Sequence, residues 1–229
     1  KVHPAWIAAA ITWMTLVAAA GYRSAPSVLI VPLEEAFGWS RSQISLAISV
    51  NILLYGLTAP FAAALMERFT VRKVVMSALA AVSLGAFGTI FMNAPWQLVL
   101  LWGVVVGVGT GSMALVFAAT IASRWFLQRR GLVTGALTAA AATGQLVFLP
   151  ALSSIAINHG WKSVSITIAV AAAAVIPLIW WGLNEDPVAI GAKPYGAPED
   201  WQAPAKLQGN AARNAIDALK NGAKIKDFW

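Results

Sequence analysis

A single charged residue, Arg23, lies inside the first long apolar run of the sequence. Placing an arginine at the centre of a lone membrane helix costs roughly 2.5–3.5 kcal/mol, so such residues usually face a polar cavity or a partner. Tyr22, Ser24 and Ser27 surround it, and Pro26 removes a backbone hydrogen bond nearby. Because a guanidinium can hold a carboxylate through two parallel hydrogen bonds, this polar stretch predicts a site for an organic anion.

A second interpretation of Arg23 stays open at this point. If the first apolar run slides inward, the long side chain snorkels and places its charge among the outer headgroups. Broken, polar helix segments near the midplane are where transporters place their substrates, and that preference favours the cavity.

Polar residues on later apolar runs are candidates to share that cavity. Asn51 and Tyr55 are four residues apart, hence on one face of a helix, and Thr143 and Gln145 lie on a later run. The alternative for each is an ordinary hydrogen bond between helices, which is worth about 0.6 kcal/mol on average.

No catalytic arrangement is visible in the sequence. It contains no Cys, and its two histidines, His3 and His159, are predicted to lie on opposite sides of a membrane. A Gly-x-Ser-x-Gly nucleophile turn is absent as well. We therefore predict no enzyme activity, no catalytic residues, and no metal or cofactor site in this chain.

The elements that must position these residues are long apolar helices. The chain is 59% hydrophobic and 11% charged, whereas soluble domains carry roughly 25% charge, which excludes a soluble globular enzyme. A bilayer core about 30 Å thick needs about 20 helical residues, and lipid leaves no water to satisfy an open strand. The sequence predicts an all-α integral membrane protein with six transmembrane helices in one bundle. They are Ala5–Leu33, Gln43–Met66, Val74–Asn93, Gln97–Ala122, Leu132–Asn158 and Ser163–Leu183.

Lys and Arg are distributed unequally between the two predicted faces. Thirteen of the sixteen lie on the face that holds both termini, while Arg41 and Lys162 lie on the other. The positive-inside rule therefore places both termini in the cytoplasm. The formal charge of +7 then indicates orientation in a lipid bilayer, expected to be the bacterial inner membrane, rather than nucleic-acid binding.

The loop after the second predicted span carries Glu67, Arg68, Arg72 and Lys73. One acidic residue and three basic residues are consistent with a loop whose charge only fixes the orientation of the helices in the membrane. It also fits a gating loop, in which an ion-pair latch breaks when helices move. Charge alone does not separate the two.

Glycines recur at four-residue spacing in the fourth predicted span, at Gly103, Gly107 and Gly111, and Gly135 lies in the fifth. Small residues let helix backbones approach closely, so we predict that these four glycines pack helices together. A phosphate-binding glycine loop is excluded, because no strand precedes the run.

Residues 1–183 are predicted to form the bundle, and residues 184–229 a cytoplasmic central loop. Within the loop, Ala211–Lys226 has a helix-forming composition that fits either a membrane-surface helix or a solvated linker helix. Asp227–Trp229 is predicted to begin a seventh span. Because position 1 is Lys, both ends of the chain are expected to be cut.

Several stretches carry a family resemblance. Ala63–Lys73 is similar to a transporter loop signature of Gly, Asp-Arg, Gly and Arg-Lys, with Ala63, Glu67 and Thr70 in place of Gly, Asp and Gly. Together the stretches resemble the amino-terminal six-helix half of a major facilitator superfamily transporter, in the monocarboxylate-transporter and oxalate/formate-antiporter-like branch. The other stretches are Pro32–Arg41, Arg124–Leu132, Ile190–Gly196 and Asp227–Trp229.

The resemblance implies a twelve-span carrier whose two six-helix bundles rock around a midplane site, by symport or antiport. It implies a small organic anion, such as a monocarboxylate or dicarboxylate, as substrate. It also implies a partner, a carboxy-terminal six-helix half in the uncut protein or in another chain. The alternative is a non-transporting membrane subunit that serves as a scaffold or assembly factor. Candidate substrate contacts from this half are Arg23, Tyr22, Asn51, Tyr55 and Gln145.

Overall fold

The computed structural model describes residues 3–113 and 115–202. Regular structure in those residues is helical, and their sole β pairing is an isolated bridge between Phe126 and Tyr195. A π-helix, Val99–Val106, joins α4 to α5, and 3₁₀ turns cover Thr89–Phe91 and Pro187–Ile190. The α-helices are α1 (Pro4–Phe37), α2 (Arg41–Arg68), α3 (Val71–Gly88), α4 (Pro95–Leu98), α5 (Gly107–Ser112), α6 (Leu115–Trp125) and α7 (Arg130–Gly182).

Five helical stretches in the described residues are long and apolar enough to cross a membrane. The all-helical fold predicted from the sequence is therefore confirmed for this part of the chain. The count differs from the predicted six, because the last two predicted spans fall within one helix, α7. The stretches are Pro4–Phe37, Arg41–Arg68, Val71–Phe91, Pro95–Trp125 and Arg130–Gly182. The predicted Ala211–Lys226 helix and the start of a seventh span lie outside the described residues.

The helix α7 is interrupted near its middle. Its 53 residues would extend about 80 Å as one straight helix, well beyond a bilayer core of about 30 Å. At Gly160 the backbone has φ 77° and ψ 172°, a conformation that is essentially confined to glycine. Gly160 therefore allows a turn that a side chain would strain.

Contacts with α1 show how the first part of α7 runs. Gly144 packs against Val17, and one turn further along both helices Phe148 packs against Gly21. Residue numbers increase in the same direction along the two helices. The helix α1 and the part of α7 before Gly160 are therefore parallel.

The part of α7 after Gly160 runs the other way. Trp161 meets the end of α1, with its ring centroid 5.3 Å from that of Phe37. Gly182 packs against Ile11, near the start of α1. The chain therefore reverses direction at Gly160, and both parts of α7 flank α1.

A row of glycines brings the fourth apolar stretch close to α2; we call this contact the glycine seam. A β-carbon at Gly103, Gly107 or Gly111 would lie between 2.8 and 3.1 Å from the backbone of α2, at Gly107 3.0 Å from the Asn51 Cα. Those three glycines lie where the two helices pack closely. Gly135 does not: a β-carbon there would meet nothing within 4 Å in the described residues.

Candidate functional site

Arg23 places its charge beside the middle of α2. Its Nη1 donates a hydrogen bond of 3.1 Å to the Tyr55 hydroxyl, and its guanidinium carbon lies 5.0 Å from the centroid of the Tyr55 ring. Tyr55 is midway along α2, far from both helix ends. The hydrogen bond and the ring together hold the guanidinium plane, and among the described residues Arg23 has no other polar partner. Its remaining N–H groups are thus available to an anion.

Arg23 belongs to a line of exposed residues on one side of α1, which we call the α1 stripe. Its members are Arg23, Ser27, Val31 and Glu35, spaced four residues apart. The residues between them are buried or half-buried in the bundle. Residues at this spacing are neighbours on a helix surface, so the bundle presents a continuous open strip that leads away from Arg23.

Tyr22, which the resemblance suggests as a substrate contact, points into the bundle. It is 2% exposed, and its hydroxyl has no hydrogen-bond partner in the described residues. Adjacent residues of a helix diverge by about 100°, so Tyr22 and Arg23 face different surroundings. The structure does not bring the Tyr22 hydroxyl to the exposed side where Arg23 lies.

Asn51 binds the backbone of the neighbouring stretch. Its Nδ2 donates a hydrogen bond of 2.8 Å to the Trp102 carbonyl. Trp102 belongs to the π-helix Val99–Val106, whose shifted hydrogen-bond register changes which carbonyls have backbone donors. π-Helical turns are rare and often mark functional sites. Sequence reasoning missed this one, since no residue pattern distinguishes it from an ordinary apolar helix.

Gln145 is exposed on α7. No hydrogen bond joins it to Arg23, Asn51 or Tyr55 in the described residues. Its neighbour Gly144 packs against α1, so Gln145 lies beside that helix contact. Of the five candidate contacts, the structure joins only Arg23 and Tyr55 directly.

A groove of about 940 Å³ lies beside the α1 stripe, between the second half of α1 and the part of α7 that ends at Gly160. Ser27, Val31 and Glu35 of the stripe line one wall. Ser153 and Trp161 lie on the α7 wall. The groove starts one helical turn from Arg23, so a molecule held by that guanidinium can extend into it.

The predicted gating loop lies between α2 and α3. Glu67 forms no ion pair within the part of the chain that the structure describes, where the one ion pair joins Arg41 Nε to Glu34 Oε1 at 3.1 Å. The guanidinium of Arg68 lies 5.2 Å from the centroid of the Phe69 ring. An ion-pair latch at Glu67 therefore stays a prediction.

Two other bases of that loop have different surroundings. Arg72 Nη1 donates a hydrogen bond of 3.2 Å to the Trp180 carbonyl, and its guanidinium carbon lies 5.1 Å from the centroid of the Trp180 ring. Lys73 is exposed. Arg72 thus ties the start of α3 to the end of α7.

Thr70, in the same loop, has a strained backbone. Its φ is 127°, a genuine outlier for a β-branched residue. Its hydroxyl accepts a hydrogen bond of 3.3 Å from the Lys73 amide and so caps α3. The loop signature has Gly here, and the positive φ gives the physical reason.

Tyr195, beyond the last helix, ties the chain back to the bundle. Its amide donates a hydrogen bond of 2.8 Å to the Trp125 carbonyl, and its carbonyl accepts one of 3.0 Å from the Leu127 amide. Its ring centroid lies 5.5 Å from that of His3 and 5.6 Å from that of Trp6. The loop after the bundle therefore docks at the end where α1 begins.

A model of the Major Facilitator Superfamily matches residues 11–222. The chain belongs to the major facilitator superfamily. The family resemblance seen in the sequence is confirmed, and the chain's relatives include monocarboxylate transporters.

Three relatives show how much of a carrier the chain covers. The chain is 28% identical to the uncharacterized MFS-type transporter YcxA of Bacillus subtilis (strain 168), over 80% of this chain and 45% of that protein. It is 29% identical to monocarboxylate transporter 7 of Homo sapiens, over 57% of this chain and 25% of that protein. It is 27% identical to the gallate transporter of Pseudomonas putida, over 84% of this chain and 43% of that protein. The chain thus spans less than half the length of these relatives.

A solved structure shares the fold. The MFS proton:xylose symporter XylE bound to 6-bromo-6-deoxy-D-glucose superposes with a TM-score of 0.70 at 16% identity. The match covers 96% of this chain and 54% of that one. Family and apolar helices together make this an integral membrane protein whose relatives include transporters.

Proposed function

We propose that this chain is the amino-terminal six-helix half of a secondary active transporter of small organic anions, monocarboxylates or dicarboxylates. It alternates access with a carboxy-terminal six-helix half, in the bacterial inner membrane, with both termini in the cytoplasm. The observation that carries the proposal is the Arg23 guanidinium, which Tyr55 holds beside the middle of α2 on an open side of the bundle.

The position of the charge supports an anion as substrate. A cation near the middle of an apolar helix is costly unless it faces water or a counter-charge. No acidic side chain pairs with Arg23 among the described residues. A carboxylate offers two acceptor oxygens in the geometry of the guanidinium edge, and so supplies the missing charge.

The contacts of α7 support six spans. The part before Gly160 runs parallel to α1, and the part after it runs antiparallel. Each part is long enough to cross a bilayer core of about 30 Å. Two crossings by α7 bring the total to six, which returns the chain to the side where α1 begins.

The division of the chain into a bundle, residues 1–183, and a central loop, residues 184–229, belongs to the same proposal. Tyr195 supports it, because the loop docks at the end where α1 begins. The names of two relatives, a monocarboxylate transporter and a gallate transporter, support a carboxylate substrate.

An Arg23→Gln variant of the full-length protein tests the proposal. Labelled carboxylates are offered to proteoliposomes that contain the wild type, Arg23→Gln, or the matched control Lys162→Gln, which removes an exposed cation just after the turn at Gly160. We expect the first variant to lose about 100-fold in kcat/KM, because two charge-assisted hydrogen bonds are lost. The control should transport normally. Normal transport by Arg23→Gln would remove the site from this proposal.

A further inference from the structure

We infer that the groove beside the α1 stripe receives the hydroxyl-bearing end of the substrate, so that the preferred anion is a hydroxylated carboxylate. The inference rests on the proposed function, since it takes Arg23 as the group that holds the carboxylate. It adds the chemical class of the rest of the molecule.

The first wall of the groove is rich in hydrogen-bond acceptors. Ser27 Oγ donates its proton to the Ser24 carbonyl at 2.7 Å, so its lone pairs are left to accept from a ligand. Val28 and Pro32 also line the groove. Because Pro32 has no N–H, the Val28 carbonyl lacks its helical donor.

The opposite wall adds another hydroxyl, that of Ser153. Its Oγ makes no hydrogen bond within the residues that the structure describes. The unpaired Ser153 hydroxyl can donate or accept, and the facing wall offers acceptors, so the groove suits ligand groups that both donate and accept. In a neutral region of an organic anion, the ordinary donors are hydroxyl groups.

Charge fixes the orientation of such a ligand. Arg23 lies at one end of the α1 stripe and Glu35 lies twelve residues further, about 18 Å along the helix. A carboxylate is attracted to Arg23 and repelled by Glu35, whereas hydroxyl donors are attracted to Glu35. The anionic end therefore binds at Arg23, and the hydroxyls extend into the groove.

The size and the remaining lining suit a compact carbon skeleton. The volume of about 940 Å³ falls in the range of small-molecule pockets. Leu149, Ala156 and Trp161 supply apolar surface between the polar groups. A ligand without hydroxyls would make no hydrogen bonds to the serine hydroxyls or to the Val28 carbonyl, so the groove favours a hydroxylated ligand.

Equilibrium binding of two matched anions to the full-length carrier tests the inference. The probes are labelled benzoate and labelled 3,4-dihydroxybenzoate, which differ only in their hydroxyls. The proteins are the wild type, Ser27→Ala, Ser153→Ala and Arg23→Gln, with Ser154→Ala as a control next to the groove. Each lost hydrogen bond is expected to weaken binding roughly two- to tenfold.

The expected result has three parts. The wild type and Ser154→Ala prefer the dihydroxy acid. Ser27→Ala and Ser153→Ala each reduce that preference while benzoate binding is unchanged, and Arg23→Gln loses both ligands. Equal binding of the two acids by the wild type, or a preference that survives both serine substitutions, overturns the groove assignment. If Arg23→Gln still loses both ligands in that case, the anion-carrier function stands.

Cysteine labelling supplies a second measurement that does not depend on affinity. The sequence has no Cys, so Ser153→Cys introduces a unique thiol into this part of the chain. After removal of any cysteine elsewhere in the full-length protein, we expect a polar maleimide to label it and 3,4-dihydroxybenzoate to protect it. A thiol that reacts at the same rate with and without the acid contradicts the inference, as does one that the rest of the carrier covers completely.

Discussion

Asn51 and Tyr55 are one helical turn apart on α2, yet their side chains have opposite surroundings. The Asn51 side-chain amide is hydrogen-bonded within the glycine seam, where it donates to the Trp102 carbonyl and lies against Gly107. The Tyr55 hydroxyl reaches the open side of the bundle and accepts from Arg23. Polar residues that share a helix face therefore do not share a role.

The backbones of both residues lie against seam glycines, so the difference lies in which neighbouring helix each side chain reaches. At the glycine seam the absence of a side chain lets two helices approach until amide and carbonyl meet. Beside Arg23 the long guanidinium spans the distance from α1 to Tyr55, and the remaining side stays open. Close backbones favour structural hydrogen bonds, and separated helices leave donors for a ligand.

The glycine seam gives the largest expected effect. Gly107→Ala places a β-carbon 3.0 Å from the Asn51 Cα, where backbone must move. We expect a loss of about 1–3 kcal/mol in the free energy of unfolding, typical of an overpacked core. Unfolding of the purified full-length protein in detergent measures it. Gly135→Ala, which meets open space in the described residues, should change little, and equal effects would contradict a special role for the seam.

The Asn51 amide gives the next largest effect. Asn51→Ala removes the side-chain hydrogen bond to the Trp102 carbonyl in the π-helix. We expect stability to fall by about 0.6–1.7 kcal/mol, which are the average and the largest value measured for hydrogen bonds between membrane helices. The KM for a transported carboxylate should stay within twofold. A raised KM with unchanged stability would instead make Asn51 a substrate contact, as the family resemblance suggests.

Tyr55 gives the smallest effect and completes the contrast. Tyr55→Phe removes the hydroxyl but keeps the ring beside the guanidinium, so Arg23 loses one of its two anchors. We expect KM to rise roughly two- to tenfold, with kcat and unfolding temperature nearly unchanged. Lower stability with an unchanged KM would place Tyr55 in the same structural role as Asn51.

Much of the fold could be predicted because its signals are local. Hydropathy identifies the apolar stretches, and the gap between the predicted spans that end at Asn158 and begin at Ser163 matches the break in the backbone of α7 at Gly160. The π-helix Val99–Val106 could not be predicted, because a shift of hydrogen-bond register leaves no mark in an apolar sequence. The burial of Tyr22 away from the open side could not be predicted either, because it depends on which side of α1 the other helices cover.

The sequence by itself determined that the chain is a membrane protein and that Arg23 is its exceptional residue, because the cost of placing a charge in an apolar helix depends on residue type alone. Only the tertiary structure decided which polar residues contact the Arg23 guanidinium. The glycine seam occupies Asn51, the core encloses Tyr22, and Tyr55 remains beside Arg23. The reason is that helix periodicity sets which residues share a face, whereas the distance between two helices sets whether their polar groups meet each other or a ligand.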